Sequence, residues 1–255
     1  MPKYLLDRDT SKACQRDCAG VTAAILAGGL GARLRPALKD TPKVLARIGH
    51  RPFIAILLDQ LAAAGVRKAV LLTGYRADQV RRTLGDRHVG MVLRYSVESA
   101  PLGTAGALRH ALSKLETETL LLLNGDSFCD VDLSWLVAEH RRRRADLTLT
   151  LAHAPDRGRF GKVTMAADGK VTHFGEKQID AGPGWINAGI YVLHRSLVND
   201  IPPDKPSSLE RDLLPRWVET RRCYAFKEEG RFLDIGTPGA YAAAASFFGE
   251  SENEK

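Results

Sequence analysis

Four short runs of this 255-residue chain, Val21–Leu26, Lys68–Thr73, Met91–Ser96 and Thr119–Leu123, are built mainly of consecutive apolar residues. A strand with one wet face would alternate apolar and polar positions, so continuous runs require cover on both faces. Segments with helical character follow: Phe53–Ala64, with Ile54, Leu57, Leu58 and Leu61 on one face and Gly65 as its stop, then Ala77–Leu84 and Gly103–Leu112. Strand and helix in alternation give an α/β fold, a Rossmann-like, mostly parallel sheet flanked by helices.

Beyond Asp126 the rhythm changes. A helix is expected over Leu133–Arg144, followed by β-rich stretches at Leu147–His153, Gly161–Met165, Lys170–Phe174 and Gly189–Leu193, separated by Asp168-Gly169 and Gly182–Gly184. The expected organisation is an N-terminal extension (1–20) and one domain over 21–248, with a polar tail at 249–255. That domain has a parallel half (21–130) and a mixed β-rich half (131–248). Open α/β sheets bind ligands at the carboxyl ends of their strands, so the loops after Leu26, Ser96 and Leu123 should meet in one cleft.

Lysine and arginine total 37 against 30 aspartate and glutamate, a net charge of +7 that favours anionic partners. No apolar run is long enough for a membrane span and residues 1–20 lack a signal-peptide core, so a cytoplasmic protein without membrane partners is expected. Cys14, Cys18, Cys129 and Cys223 are too few and scattered for a disulfide framework. Cys14 and Cys18 have no second Cys/His pair with zinc spacing. The basic run Arg141–Arg144 follows a helix, where cations complement the dipole and face water, and no nucleic-acid-binding motif accompanies it.

The loop after the first run, Leu26-Ala27-Gly28-Gly29-Leu30-Gly31-Ala32-Arg33, carries three glycines in four positions and then a forked cation. Such a loop exposes backbone N–H groups to an anion, and Arg33 places charge beside it. It departs from the dinucleotide fingerprint, having Leu34 at the third glycine position, and from the phosphate-binding Walker pattern. A turn holding no ligand is the other reading. Pro42 fixes the backbone ahead of Lys43, which can bring a second cation to the same place. Asp126 ends an apolar strand and Asp234 sits in the apolar segment Phe232–Gly236, where burying a carboxylate without a cation is costly. Capping a turn or the helix at Thr237-Pro238 is the alternative for each.

These segments resemble one family. Leu26–Pro36, Pro42–Ile54, Glu98–Gly106, Leu123–Ser127, Phe174–Lys177, Asn187–Tyr191 and Phe232–Pro238 are similar, in this order, to the signature blocks of the sugar-1-phosphate nucleotidylyltransferases. The resemblance covers residues 21–245. It implies a glycosyltransferase-A-like nucleotidyltransferase fold and a reaction in which a sugar 1-phosphate attacks the α-phosphorus of an NTP, releasing pyrophosphate. It implies nucleotide contacts from Leu26, Ala27, Gly28, Gly29, Gly31, Ala32, Arg33, Lys43, Glu98, Pro101, Gly103, Thr104, Asn124 and Gly125. Sugar-phosphate contacts are implied for Gly161, Glu176, Lys177, Asn187 and Gly189. Asp126 and Asp234 would hold Mg²⁺, with Arg33, Lys43 and Asp126 carrying the catalysis.

Within the family the chain looks most like the guanylyltransferases that use GTP and D-glycero-α-D-manno-heptose 1-phosphate in making GDP-heptose for surface polysaccharides and S-layer glycans. Mannose-1-phosphate guanylyltransferases and uridylyl- or thymidylyltransferases stay open as alternatives. So does a non-catalytic nucleotide-sugar sensor on the same fold. A homo-oligomer is a further candidate assembly.

Overall fold

The computed structural model describes residues 18–38, 40–158, 161–177 and 182–249, and within them leaves undescribed the side chains of Arg35, Pro36, Glu176 and Lys177. The first half runs β1 (Thr22–Leu26), α1 (Arg35–Leu38), the hairpin β2 (Arg47–Ile48) and β3 (Arg51–Pro52), α2 (Phe53–Ala63), β4 (Lys68–Thr73), α3 (Ala77–Leu84), β5 (Arg87–His88), β6 (Met91–Val97), α4 (Gly103–His110) and β7 (Thr119–Asn124). The second runs β8 (Ser127–Cys129), α5 (Leu133–Arg142), β9 (Leu147–Ala154), β10 (Gly161–Met165), β11 (Val171–Lys177) and β12 (Gly184–His194). A π-helical turn (Leu209–Leu213), α6 (Leu214–Thr220), β13 (Cys223–Glu228), β14 (Phe232–Asp234), α7 (Pro238–Ala242) and α8 (Ala244–Phe247) complete it.

The main sheet has the order β11-β10-β12-β7-β1-β4-β6-β5, with β9 joining β12 to β13. β7, β1, β4 and β6 are mutually parallel, and β12 is antiparallel to β7, so the mixed half extends the parallel sheet. β1 sits where the strand order reverses: the chain moves to β4 on one side and returns to β7 on the other. Such a switch point opens a crevice at the carboxyl ends, and the glycine loop leaves β1 there.

The consecutive apolar residues are used as expected. Ala23 and Ile25 of β1 pack with Leu121 and Leu123 of β7 on one face, while Ala24, Leu120 and Leu122 pack on the other. A third cluster ties Leu34 and Phe53 to Phe128, Leu233 and Ile235, with Phe247 and Phe248 packed against it. Phe128 and Phe248 meet edge to face, centroids 5.2 Å apart. This cluster anchors the strands that carry the two aspartates to the segment after the glycine loop.

One boundary differs from the sequence reading. Cys18, assigned above to the N-terminal extension, is fully buried: its amide donates to Ala64 O at 3.1 Å and its thiol lies 3.8 Å from Leu133 O. Its packing makes it part of the body, which isolated polar flanking residues did not reveal. Residues 1–17 of the extension and positions 250–255 of the tail lie outside the described residues.

Candidate active site

The glycine loop is held at both ends of its first half. Ala27 N donates to Leu72 O at 2.8 Å, and a Cβ on Gly28 would stand 2.9 Å from Glu98 Oε1 and 3.2 Å from Gly74 N. Gly28 is thus required by close approach of protein. Gly29 is exposed with nothing around its Cβ position, and Gly31 adopts φ +59°, the left-handed turn that sends the chain toward Arg33. Half-buried Leu26 and buried Ala27 form the root of the loop, and Ala32 and Arg33 are exposed beyond it. Gly29, Gly31, Ala32, Arg33, Lys43, Asp126 and Gly236 line a cavity of about 240 Å³.

Lys43 opens a single 3-10 turn, Lys43–Leu45, whose Val44 and Leu45 are buried. With the turn pinned, the ammonium is delivered to Asp126: Nζ donates to Oδ2 at 2.6 Å and lies 3.8 Å from Asp234 Oδ1. The lysine side chain is 11% exposed, Asp234 17% and Asp126 40%, so the outer carboxylate faces the cavity mouth.

Two short strands bring the aspartates together. β8 and β14 pair antiparallel with Asp234 opposite Ser127, and Ile235 N donates to Asp126 O at 3.0 Å. Asp234 Oδ1 accepts from Gly236 N at 2.6 Å, which orients its carboxylate; the cap of α7 is instead Thr237, whose hydroxyl accepts from Ala240 N. The helix-cap reading of Asp234 is therefore set aside. Gly125, before Asp126, lets the chain leaving β7 stay close against the end of β1, since a Cβ there would collide with Leu26 O.

Two carboxylates held beside each other, paired with one ammonium, suit a hard divalent ion that takes oxygen ligands and completes its shell with phosphate oxygens and water. Among the described residues no cluster of three or more His, Cys, Asp or Glu forms a self-sufficient metal cage. The donor set fits Mg²⁺ bound together with substrate.

Glu98 ends the β6 side of the cleft. It is wedged against Gly28 and Gly74 and accepts from Leu102 N at 3.2 Å; burial pushes its carboxyl above the ordinary range. Pro101 is exposed nearby. Gly103 and Thr104 turn out to serve protein contacts. Gly103 has φ +72°, and a Cβ there would lie 2.5 Å from Ser207 O; Thr104 Oγ1 donates to Glu210 and accepts from Leu209 N. The segment around Ser207, which nothing local to Gly103 announces, packs on the two residues that the resemblance assigns to the nucleotide.

Asn124 ends β7 against Gly189, whose φ of +75° and missing Cβ make room for the Asn124 amide. The Oδ1 of Asn124 is buried without a hydrogen-bond partner among the described residues. Ser127 Oγ donates to Ala188 O at 3.3 Å, so the Asn187–Gly189 segment lies against the strand end that carries Asp126. Gly161 begins β10 opposite Lys177 of β11; the side chains of Glu176 and Lys177 lie outside the described residues. Asn187 Nδ2 donates to the hydroxyl of the buried Tyr191 at 2.6 Å.

With the strand order, the glycine loop and the paired aspartates in place, the class is defined: residues 22–251 match the nucleotidyl transferase family, and this chain belongs to it. More particularly, it is 34% identical over 222 residues to D-glycero-α-D-manno-heptose 1-phosphate guanylyltransferase of Aneurinibacillus thermoaerophilus, covering 87% of this chain and 96% of that protein. It is 35% identical over 221 residues to mannose-1-phosphate guanylyltransferase of Mycobacterium tuberculosis, covering 86% of this chain and 62% of that one. The crystal structure of HddC from Yersinia pseudotuberculosis complexed with GMP-PN superposes with a TM-score of 0.78 at 32% identity, covering 89% of this chain and 99% of that chain. Among the described residues no helix is long and apolar enough to cross a membrane.

Proposed function

We propose that this chain transfers GMP from GTP to D-glycero-α-D-manno-heptose 1-phosphate, forming GDP-heptose and pyrophosphate. The observation that carries the reading is the convergence of Lys43, Asp126 and Asp234 at the mouth of the glycine loop. Similarity to a guanylyltransferase acting on this heptose phosphate along nearly its whole length supports the choice of substrate over mannose 1-phosphate.

The attacking phosphate oxygen is already anionic, so the site needs no general base. Its task is to bring two anions into line and to neutralise the charge that develops. The exposed N–H groups of Gly29 and Gly31 and the forked guanidinium of Arg33 suit the triphosphate. Lys43 sits where it can turn from Asp126 to a phosphate oxygen. Asp126 and Asp234 would hold Mg²⁺, which when bound supplies further positive charge to the phosphates. Asn187, on the segment that lies against the strand end carrying Asp126, would serve a sugar hydroxyl.

The test is pyrophosphate release from purified protein with Mg²⁺, each of GTP, ATP, CTP, UTP and dTTP, and a panel of sugar 1-phosphates. Release with GTP and the heptose phosphate is expected. Release with another pair would replace the substrate; folded protein that binds a nucleotide sugar but releases nothing would overturn the enzyme reading.

A further inference from the structure

Lys43 spans the site from the glycine loop to the aspartates. Its stem packs on Gly31, where an added Cβ would stand 3.2 Å from Lys43 Cβ and 3.9 Å from Cγ and Cδ. Its ammonium ends 2.6 Å from Asp126 Oδ2 and 3.8 Å from Asp234 Oδ1. The root of the side chain is pinned, because Val44 and Leu45 of its turn are buried and Ala46 N donates to Lys43 O at 3.0 Å. The side chain is largely buried, so solvent and salt screen its attraction to the carboxylates less than in a surface ion pair.

The carboxylates themselves are placed by the backbone. Ile235 N donates to Asp126 O at 3.0 Å, which ties the two aspartate segments together, and Gly236 N holds Asp234 Oδ1, the oxygen nearer the ammonium, at 2.6 Å. The lysine is therefore the movable member of the cluster: its root is fixed, its stem lies along the cradle, and its ammonium alone is free to change partner by side-chain rotation.

Charge decides what can join this cluster. Two carboxylates and one ammonium leave a single negative charge, and a divalent ion arriving without an anion would turn the cluster positive, with Arg33 lining the same cavity. An ammonium and a divalent ion drawn to the same oxygens also repel each other. A triphosphate reverses the balance, since its oxygens can accept from the ammonium and leave the aspartates to the ion. We propose that Lys43 is a resident counter-ion that couples metal to nucleotide, holding the carboxylate pair until phosphate oxygens take its ammonium. Metal and triphosphate then enter together, and neither binds well alone. The inference rests on the assignment of Asp126 and Asp234 to Mg²⁺ proposed above.

Two binding measurements on wild type, Lys43→Met and Lys43→Arg test this: Mn²⁺ alone, titrated by electron paramagnetic resonance, and preformed Mn²⁺·GTP, titrated by calorimetry. In Lys43→Met, Mn²⁺ alone should bind at least about tenfold more tightly, because a competing cation is gone. Mn²⁺·GTP should bind about tenfold more weakly, because one charge-assisted contact to phosphate is gone. Lys43→Arg keeps the charge and should bind Mn²⁺ alone no more tightly than wild type. Lys43→Gln, a second neutral variant, reads the same two shifts where Lys43→Met does not fold. Shifts of the same sign in a neutral variant, unchanged affinity for Mn²⁺ alone, or an equal gain in Lys43→Arg would overturn the proposal. Neither measurement needs turnover, so opposite shifts in a protein that releases no pyrophosphate with any sugar 1-phosphate would keep the coupling and overturn the reaction.

Discussion

Gly103→Ala tests whether α4 is seated by protein contact rather than by ligand. A non-glycine residue at φ +72° costs about 1–2 kcal/mol. The new Cβ would also stand 2.5 Å from Ser207 O and 3.0 Å from Ser207 C, backbone atoms that cannot rotate away. Ser207 is held by its own hydrogen bonds, N to Leu102 O at 2.8 Å and O from Ala105 N at 3.0 Å. Relieving the clash strains or breaks these, at about 0.5–1.5 kcal/mol each. The total is about 3 kcal/mol, which for a domain of this size lowers the melting temperature by roughly 6–12 °C. Gly29→Ala is the matched control, because Gly29 has ordinary φ and open space around it, and its melting temperature should equal that of wild type. Thermal unfolding followed by circular dichroism reads both. If Gly103→Ala melts within about 2 °C of wild type, the contact with Ser207 does not hold α4 in place and the reasoning fails.

Lys43→Met removes the ammonium between Asp126 and Asp234, so Mn²⁺ should bind the nucleotide-free protein at least about tenfold more tightly, as measured by electron paramagnetic resonance; unchanged or weaker binding would show that the lysine does not compete with a cation. Asp234→Asn should lower turnover on the order of 10²–10³, in line with loss of one preorganised electrostatic group, while the melting temperature stays close to wild type; pyrophosphate release at saturating substrates checks this. His140 is buried against Thr148, with Nδ1 2.9 Å from Oγ1, and burial lowers its pKa to about 4. The neutral ring is kept above pH 6.5, and the unfolded chain takes up a proton first as pH falls, so stability is lost between about pH 6.5 and 4 by up to about 3 kcal/mol. Urea midpoints at pH 7.5 and 5 should differ more in wild type than in His140→Phe, and equal differences would exclude this histidine as the source.

Much of the architecture is written locally. Thr119–Leu123 and Val21–Leu26 are consecutive apolar runs because β7 and β1 are buried on both faces, and that burial leaves its mark residue by residue. The glycine loop is similarly legible, since Gly29 and Gly31 answer to backbone exposure and a positive φ at their own positions. Lys43, Asp126 and Asp234 are visible as charged residues in apolar settings. Their meeting is not, because it depends on β8 and β14, strands of three residues too short to show any period.

The α/β class, the glycine loop and the charged groups available for phosphate chemistry are set by interactions between neighbours along the chain. Which partner each group meets is set by contacts between residues far apart in it. Gly103 lies against Ser207 and Thr104 bonds Glu210, contacts that no local pattern announces, and Cys18 reads as part of a tail until Leu133 and Ala64 enclose it. These meetings join residues about a hundred positions apart, so no run of neighbours along the chain can signal them.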